Sequence, residues 1–127
     1  MPTSLLGPIG QIAITVRDLE RAVAFYRDKL GLPLLFQVPG MAFFDCQGIR
    51  LMLSLSEKPG EAYSSILYYR AEDIRLTYEA LRGRDVKGEG EPHLVAPMPT
   101  YDLWMAFLRD SEDNMFALMS EIPRVMP

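Results

Sequence analysis

The sequence predicts a single α+β domain over residues 1–127, built from two tandem βαβββ modules whose curved mixed sheets each carry a helix on the outer face. Three patterns predict this fold class. Several short segments alternate in polarity with a period of two, as half-buried strands do. Two segments with helical spacing each follow a candidate cap residue. The order of elements in the first module, about 8–56, recurs in the second, about 64–121.

The first module opens with a strand and a helix. In residues 11–16 large branched apolar side chains alternate with smaller or polar ones, which predicts a half-buried strand. Asp18 then stands at the N-cap position of an amphipathic helix. This helix is expected to end at Gly31, with Pro33 just beyond it as a stop signal.

Three short apolar runs complete the first module. Turns between them are predicted at Pro39-Gly40 and at Gln47-Gly48, because glycine accepts the backbone angles that tight turns require. The three predicted strands are Leu34–Val38, Met41–Asp45 and Ile49–Leu55.

The second module repeats this order of elements. Residues 66–71 are its first predicted strand, and Asp73 stands at the cap position of its helix. Sliding the chain by 55 residues superimposes Asp18 on Asp73, and sliding it by 65 superimposes Met52 on Ala117. The alternative fold is a ferredoxin-like sandwich, which shares the alternation of strands and helices but lacks three consecutive strands after each helix.

Composition and charge exclude several classes of partner. The chain has 127 residues, 49% of them hydrophobic and 24% charged, which fits a globular domain. Its net charge of −4 argues against nucleic acid, because neutralising phosphates requires a basic patch. No apolar run reaches about 18 residues and no signal peptide is visible, so we expect no membrane partner. A single cysteine, Cys46, fits a reducing compartment, and we expect a cytoplasmic protein.

Two segments carry a resemblance to a known family. Residues 10–36, GQIAITVRDLERAVAFYRDKLGLPLLF, contain a strand, a D-L-x-x-A helix start, a Phe-Tyr pair at mid-helix and L-G-L. Residues 107–118, FLRDSEDNMFAL, resemble a closing hairpin usually written F-x-D-P-D-G-N-x-x-E-L. The chain therefore resembles the glyoxalase/bleomycin resistance/dioxygenase family, with its vicinal oxygen chelate fold, roughly from residue 8 to residue 121.

The resemblance also implies where a metal ion would be bound. Enzymes of this family commonly hold a divalent metal with four residues, usually His or Gln and Glu. The corresponding positions here are Gln11, Met52, Ile66 and Ala117. Gln11 offers an amide oxygen, whereas Met offers a soft thioether and Ile and Ala have no lone pair to donate. We therefore expect no metal ligands, no cofactor and no catalytic residue.

The strand faces that point away from the helices are the candidate ligand surface. They are expected to be apolar with a few polar groups, as small-molecule sites usually are. The candidate ligand-binding residues are Gln11, Ala13, Phe43, Met52, Ser54, Ile66, Tyr68, Trp104, Ala117 and Met119. The same surface fits plain core or a dimer interface equally well, so the sequence leaves a pocket and an interface open.

Other polar groups carry little chemistry. His93 is the only histidine, and with Glu89 and Glu91 it is expected on a solvent-exposed loop or edge strand instead of in a metal cluster. Arg70 and Glu121 are expected to form a solvated salt bridge at the rim of the sheet.

Three functions remain open from the sequence. The first is a small-molecule binding protein that sequesters a hydrophobic or cationic aromatic compound in a cleft without a metal, similar to the drug-sequestering members of the family. The second is an enzyme of the family, a lyase, isomerase or dioxygenase with a divergent or absent metal site. The third is a regulatory domain whose cleft is filled by a partner chain. We expect a homodimer, because family members usually build their clefts from paired units.

Overall fold

The computed structural model describes residues 5, 9–56 and 65–124. The chain divides into two units, Met1–Ser64 and Ser65–Pro127. Among the described residues, neither α-helix has the length and apolar character needed to cross a membrane.

The first unit is a four-stranded mixed sheet with one helix. Its sheet order is β1-β4-β3-β2, in which β1 is parallel to β4 and the other neighbours are antiparallel. The elements are strand β1 (Gln11–Val16), helix α1 (Leu19–Ala24), a π-helical turn (Phe25–Lys29), and strands β2 (Leu34–Val38), β3 (Met41–Cys46) and β4 (Ile49–Leu55).

The first helix begins and ends at the predicted residues but is not α-helical throughout. The Asp18 carboxylate accepts a hydrogen bond of 3.0 Å from the Arg21 backbone N–H, which satisfies a donor at the helix start. The predicted single helix changes to the wider π-helical turn, in which the Leu30 N–H donates to the Phe25 carbonyl five residues earlier. Gly31 follows with a φ of +75°, the left-handed conformation that commonly ends helices.

The core of the first unit lies between the helix and one face of its sheet. Val16, Phe44 and Leu53 are fully buried there, as the period-two pattern predicts for β1 and β4. The Tyr26 ring of the π-helical turn packs on the Phe44 ring, with 6.1 Å between their centroids. This packing fixes which face of the sheet the helix covers.

The second unit repeats this arrangement, except that two short strands, β6 and β7, stand where the first unit has the single strand β2. Its sheet order is β5-β9-β8-β6, with β7 also paired to β8 and with β5 parallel to β9. Strands β6 and β7 both pair antiparallel with β8, at different positions along it, and so share the place that β2 holds in the first unit. The elements are β5 (Leu67–Arg70), helix α2 (Ile74–Gly83), β6 (Lys87–Gly88), β7 (His93–Pro97), β8 (Tyr101–Arg109) and β9 (Met115–Pro123).

The second helix is also capped by an aspartate. The Asp73 carboxylate accepts a hydrogen bond of 3.1 Å from the Leu76 backbone N–H. Ile74, Tyr78 and Leu81 are buried at helical spacing, so one face of α2 packs on its sheet. Each unit is thus a βαβββ module with mixed strand directions, which confirms the predicted fold class.

Candidate functional site

In the first unit, the sheet has one face covered by the helix and one face without a helix. Side chains alternate between the two faces of a strand, and directly paired residues lie on the same face. The strand register therefore identifies the residues on the uncovered side, which we call the first helix-free face. They include Gln11 and Ala13 of β1, Phe36 of β2, Phe43 of β3, and Arg50, Met52 and Ser54 of β4.

Two predicted site residues, Gln11 and Met52, are in contact on the first helix-free face. The Gln11 Nε2 amide donates a hydrogen bond to the Met52 Sδ, over 3.8 Å. Sulfur is a weak acceptor, so this bond orients the two side chains with little energy. The resemblance implies metal ligands at both positions, and together they offer one amide oxygen and one thioether.

Phe43, a third predicted residue, is the centre of an aromatic group beside them. It is directly opposite Met52 in the pairing of β3 with β4. Its ring stacks on Phe36 with a centroid distance of 4.5 Å and an interplanar angle of 23°. The Arg50 guanidinium lies 5.7 Å from the Phe43 centroid, within the range of a cation–π interaction. A flat organic molecule can make the same stacking and cation contacts.

The sequence analysis missed Phe36 and Arg50. Arg50 has the same strand parity as Met52, so the alternation in β4 already carried the signal for it. The facing of Phe36 could not be predicted from alternation, because the register of β2 shifts between Leu34 and Phe36. The remaining predicted residues of this unit, Ala13 and Ser54, lie on the first helix-free face as expected.

In the second unit, the same register argument identifies a second helix-free face. Residues paired across β5, β9, β8 and β7 line up in neighbouring rows. The second helix-free face includes Tyr68 and Arg70 of β5, Ala117, Met119 and Glu121 of β9, Met105 and Phe107 of β8, and His93 of β7.

Ala117, predicted to line a ligand surface, is fully buried on the second helix-free face, with 0% of its surface exposed. Tyr68 and Phe107 are its direct neighbours on the two flanking strands. Their rings form an edge-to-face pair with a centroid distance of 6.3 Å. Tyr68, itself a predicted residue, is 46% exposed, so this ring and not the alanine methyl is offered to a ligand.

Trp104 does not lie with the other predicted residues. It is opposite Ser120 in the pairing of β8 with β9, whereas Phe107 is opposite Ala117, so Trp104 and Phe107 point to opposite faces. The Arg75 guanidinium of α2 lies 5.6 Å from the indole centroid, which puts Trp104 on the helix-covered side. The expectation that Trp104 extends the same lining is therefore corrected.

The last two predicted residues of this unit differ in position. Met119 is half-buried and lies opposite Met105, within the second helix-free face. Ile66 precedes β5 and is 40% exposed. Beside Met119, the Arg70 guanidinium and the Glu121 carboxylate form an ion pair of 3.0 Å, with most of the Arg70 side chain exposed, as predicted for the rim of the sheet.

The polar groups near β7 interact with different partners and do not form one cluster. The Glu89 carboxylate pairs with the Arg109 guanidinium over 2.9 Å, and the His93 Nδ1 lies 3.1 Å from the Glu91 carbonyl oxygen. Within residues 5, 9–56 and 65–124, no three His, Cys, Asp or Glu side chains are grouped so that they could hold a metal ion.

The four positions at which the resemblance implies metal ligands do not fit a hard divalent cation. Such ions prefer several oxygen donors, or nitrogen and thiolate donors in the case of zinc. Gln11 and Met52 supply one amide and one thioether, which are already in contact with each other. Ile66 and Ala117 supply hydrocarbon alone.

Comparisons with known proteins agree with the fold. A family model described as the Glyoxalase/Bleomycin resistance protein/Dioxygenase superfamily matches residues 8–118. The uncharacterized protein YraH of Bacillus subtilis (strain 168) is 29% identical over 123 residues, which cover 85% of this chain and 94% of that protein.

Similar solved structures come from several bacteria. A glyoxalase/bleomycin resistance protein/dioxygenase from Nocardioides superimposes with a TM-score of 0.72 and 23% identity, covering 98% of this chain and 90% of that one. A superfamily member from Sphaerobacter thermophilus DSM 20745 gives 0.76 and 22%, covering 93% and 100%. Lactoylglutathione lyase from Agrobacterium tumefaciens gives 0.72 and 21%, covering 92% and 96%. At these identities the likeness concerns the fold alone.

Proposed function

The chain belongs to the Glyoxalase/Bleomycin resistance protein/Dioxygenase superfamily, and from this membership we propose that it binds a small hydrophobic or cationic aromatic molecule without the help of a metal ion. One observation carries the proposal. At two of the positions where the family's enzymes hold a metal, the Gln11 amide is hydrogen-bonded to the Met52 thioether. The stacked rings of Phe36 and Phe43 lie beside them on the first helix-free face.

The first helix-free face has the chemistry of a small-molecule surface. Phe36 and Phe43 supply flat apolar area, and the Met52 thioether supplies an adaptable contact for an aromatic ring. Gln11 and Arg50 add hydrogen-bond donors at its edge. Apolar area with a few directed polar groups is the usual composition of a site that binds an organic molecule.

The second helix-free face supports the same kind of ligand. Its exposed Tyr68 ring and the neighbouring Phe107 ring form an aromatic wall, and Met105 and Met119 lie in the next row. Methionine side chains repack at low cost, so they suit a surface that accepts ligands of varied shape. This composition favours sequestration, which requires contact area and no catalytic group.

A metal-independent site is part of the proposal. A divalent ion held by one amide oxygen and water would be bound weakly, because hard cations are selected by several oxygen donors in a shaped cavity. A thioether favours copper(I), which is not the ion used for carbonyl or isomerisation chemistry in this family's usual sites. The ligand is therefore expected to bind equally well after chelator treatment.

A homodimer is also part of the proposal. Strand β2 is at the edge of its sheet, and its Leu35, Phe36 and Val38 are all exposed. Exposed apolar edge strands commonly mark surfaces at which another chain binds. Light scattering at several protein concentrations tests this, and a monomer at all of them would contradict it.

The binding experiment uses protein purified without a nickel column and compares it before and after treatment with a chelator. A panel of flat aromatic compounds, neutral and cationic, is titrated by calorimetry. We expect saturable binding that is unchanged by the chelator and weakened at least about tenfold by Phe43→Ala, because a stacked ring is removed. Leu76→Ala removes an exposed apolar side chain from α2 and serves as the matched control.

The outcome separates binding from enzyme chemistry. Absence of binding across the panel, or equal binding by the Phe43→Ala variant, would contradict the proposal. Elemental analysis of the same protein before chelator treatment addresses the alternative, a lyase, isomerase or dioxygenase with a divergent metal site. About one tightly held transition metal ion per chain, lost together with ligand binding on chelation, would favour that alternative.

A further inference from the structure

A cavity of about 320 Å³ lies beside the start of α2, on the helix-covered side of the second unit. None of its lining residues belongs to either helix-free face, so it is not part of the site proposed above. Its lining combines one aromatic wall, two acidic side chains, one cation and two isoleucines. These residues are Glu72, Asp73, Ile74, Arg75, Trp104 and Ile122.

The cavity already contains a planar cation placed over an aromatic ring. The Arg75 guanidinium lies 5.6 Å from the centroid of the Trp104 indole. Trp is the aromatic side chain that attracts cations most strongly, and the interaction strengthens when water is excluded. Ile74, which is buried, also lines the cavity and adds apolar surface to it.

The charges at the cavity favour a positive ligand over a negative one. Glu72 and Asp73 contribute two carboxylates, and Asp73 also caps the helix. The start of the helix contributes only about half a positive charge. Once Arg75 moves out, the remaining charge at the cavity is therefore negative.

Arg75 has an alternative place to go. It also lines a second cavity of about 260 Å³, together with Glu79 and Glu91. Glu79 lies four residues further along α2, at the spacing that allows an ion pair on a helix surface. Because the Arg75 side chain is exposed, it loses little buried surface when it moves from Trp104 to this position.

We infer that the cavity lined by Trp104, Glu72 and Asp73 binds a small planar organic cation, an amidinium, guanidinium or aromatic ammonium group, which stacks on Trp104 in place of Arg75. Arg75 is then an internal occupant that competes with the ligand. A volume of about 320 Å³ is at the lower end for ligand pockets, so it accepts one ring or one short side chain.

The test uses three probes of almost the same shape and different charge, namely benzamidine, benzamide and benzoate. Trp104 is the single tryptophan of the chain, so its fluorescence reports on this cavity directly. We expect benzamidine to change the emission saturably, with little response to benzamide and none to benzoate. Added salt should weaken the response, because the attraction to Glu72 and Asp73 is screened.

Variants distinguish the internal-competitor arrangement from simple surface binding. Arg75→Ala removes the competitor and is expected to tighten benzamidine binding about two- to fivefold, in line with an exposed cation–π interaction. Glu72→Gln should weaken it, and Trp104→Phe, followed by calorimetry, should weaken it further. Leu76→Ala, next to Arg75 on the exposed side of the helix, is the matched control and should bind benzamidine unchanged.

Three results would contradict the binding of a planar cation at Trp104. Tighter binding of benzoate than of benzamidine, lost in Arg75→Ala, would overturn the inference and identify an anion site. Unchanged emission with all three probes, or weaker benzamidine binding by Arg75→Ala, would also overturn it. Because Glu72 is exposed, the Glu72→Gln variant keeps the test decisive if Trp104→Phe folds poorly.

Discussion

The Tyr78 hydroxyl lies so close to the backbone of Gly88 that a Cβ at position 88 would overlap it. Tyr78 belongs to the buried face of α2, and Gly88 ends the short strand β6. The Tyr78 Cζ would lie 3.1 Å and the Arg82 Cδ 3.2 Å from the added atom. The absence of a side chain at residue 88 therefore allows the helix to pack on this strand.

Gly88→Ala is expected to lower the free energy of unfolding by about 1–3 kcal/mol, because the added methyl overpacks a buried contact. Chemical denaturation monitored by circular dichroism measures this. Gly83→Ala is the matched control, since a Cβ there meets nothing within 4 Å and the helix gains up to about 1 kcal/mol from alanine. Equal stability of the two variants would contradict the packing argument.

Asp73→Ala is expected to destabilise the protein by about 1 kcal/mol, because the Leu76 N–H loses its acceptor at the start of α2. Asp73→Asn retains a side-chain oxygen that can cap the helix and should lose much less. Thermal unfolding of both variants gives the comparison. If alanine and asparagine behave alike, the hydrogen bond is not the source of the effect.

Asp110→Ala is expected to cost about 2–3 kcal/mol, more than the loss of a helix cap. The buried Asp110 Oδ1 accepts 2.8 Å hydrogen bonds from the backbone N–H groups of both Glu112 and Asn114, and so holds the turn between β8 and β9. Asp110→Asn keeps an oxygen acceptor and is the milder control. The denaturant midpoint should be highest for the wild type, lower for Asp110→Asn and lowest for Asp110→Ala. An alanine variant as stable as the wild type would refute this role.

Alkylation of Cys46 should require a higher pH than alkylation of a free cysteine. Burial, and next the negative charge of Asp45, raise the pKa of the Cys46 thiol, so a smaller fraction is thiolate at any given pH. The rate of iodoacetamide labelling against pH, measured by mass spectrometry, tests this. Cys46 is the single cysteine, so Cys46→Ser gives the background directly. A rate profile that coincides with that of free cysteine would contradict the assignment.

Sequence pattern predicted the elements whose signals are local. The alternation in residues 11–16 identified β1 and its buried face, and Asp18 and Asp73 marked both helix starts because a cap acts within three residues. The break of one strand into β6 and β7 had no such local signal, since it depends on where each piece pairs with β8.

The candidate site was predicted less completely, because side-chain surroundings depend on neighbouring strands. The contact of Gln11 with Met52 follows from parity in β1 and β4. The burial of Ala117 depends on aromatic residues of two other strands, and the facing of Trp104 depends on the register of β8, whose sequence shows no alternation. Such information is non-local and is absent from a single segment.

The π-helical turn of the first unit gives the chain a place to change length. Asp18 fixes the start of the helix and the left-handed Gly31 fixes its end, so the number of residues between them is taken up within the helix. The wider turn holds one residue more than an α-helical turn would, and it carries the exposed neighbours Arg27 and Asp28. Loss of one of these two residues is expected to convert the turn to ordinary α-helix, so a chain that is one residue shorter here can keep both ends of the helix, and the sheet beneath, in place.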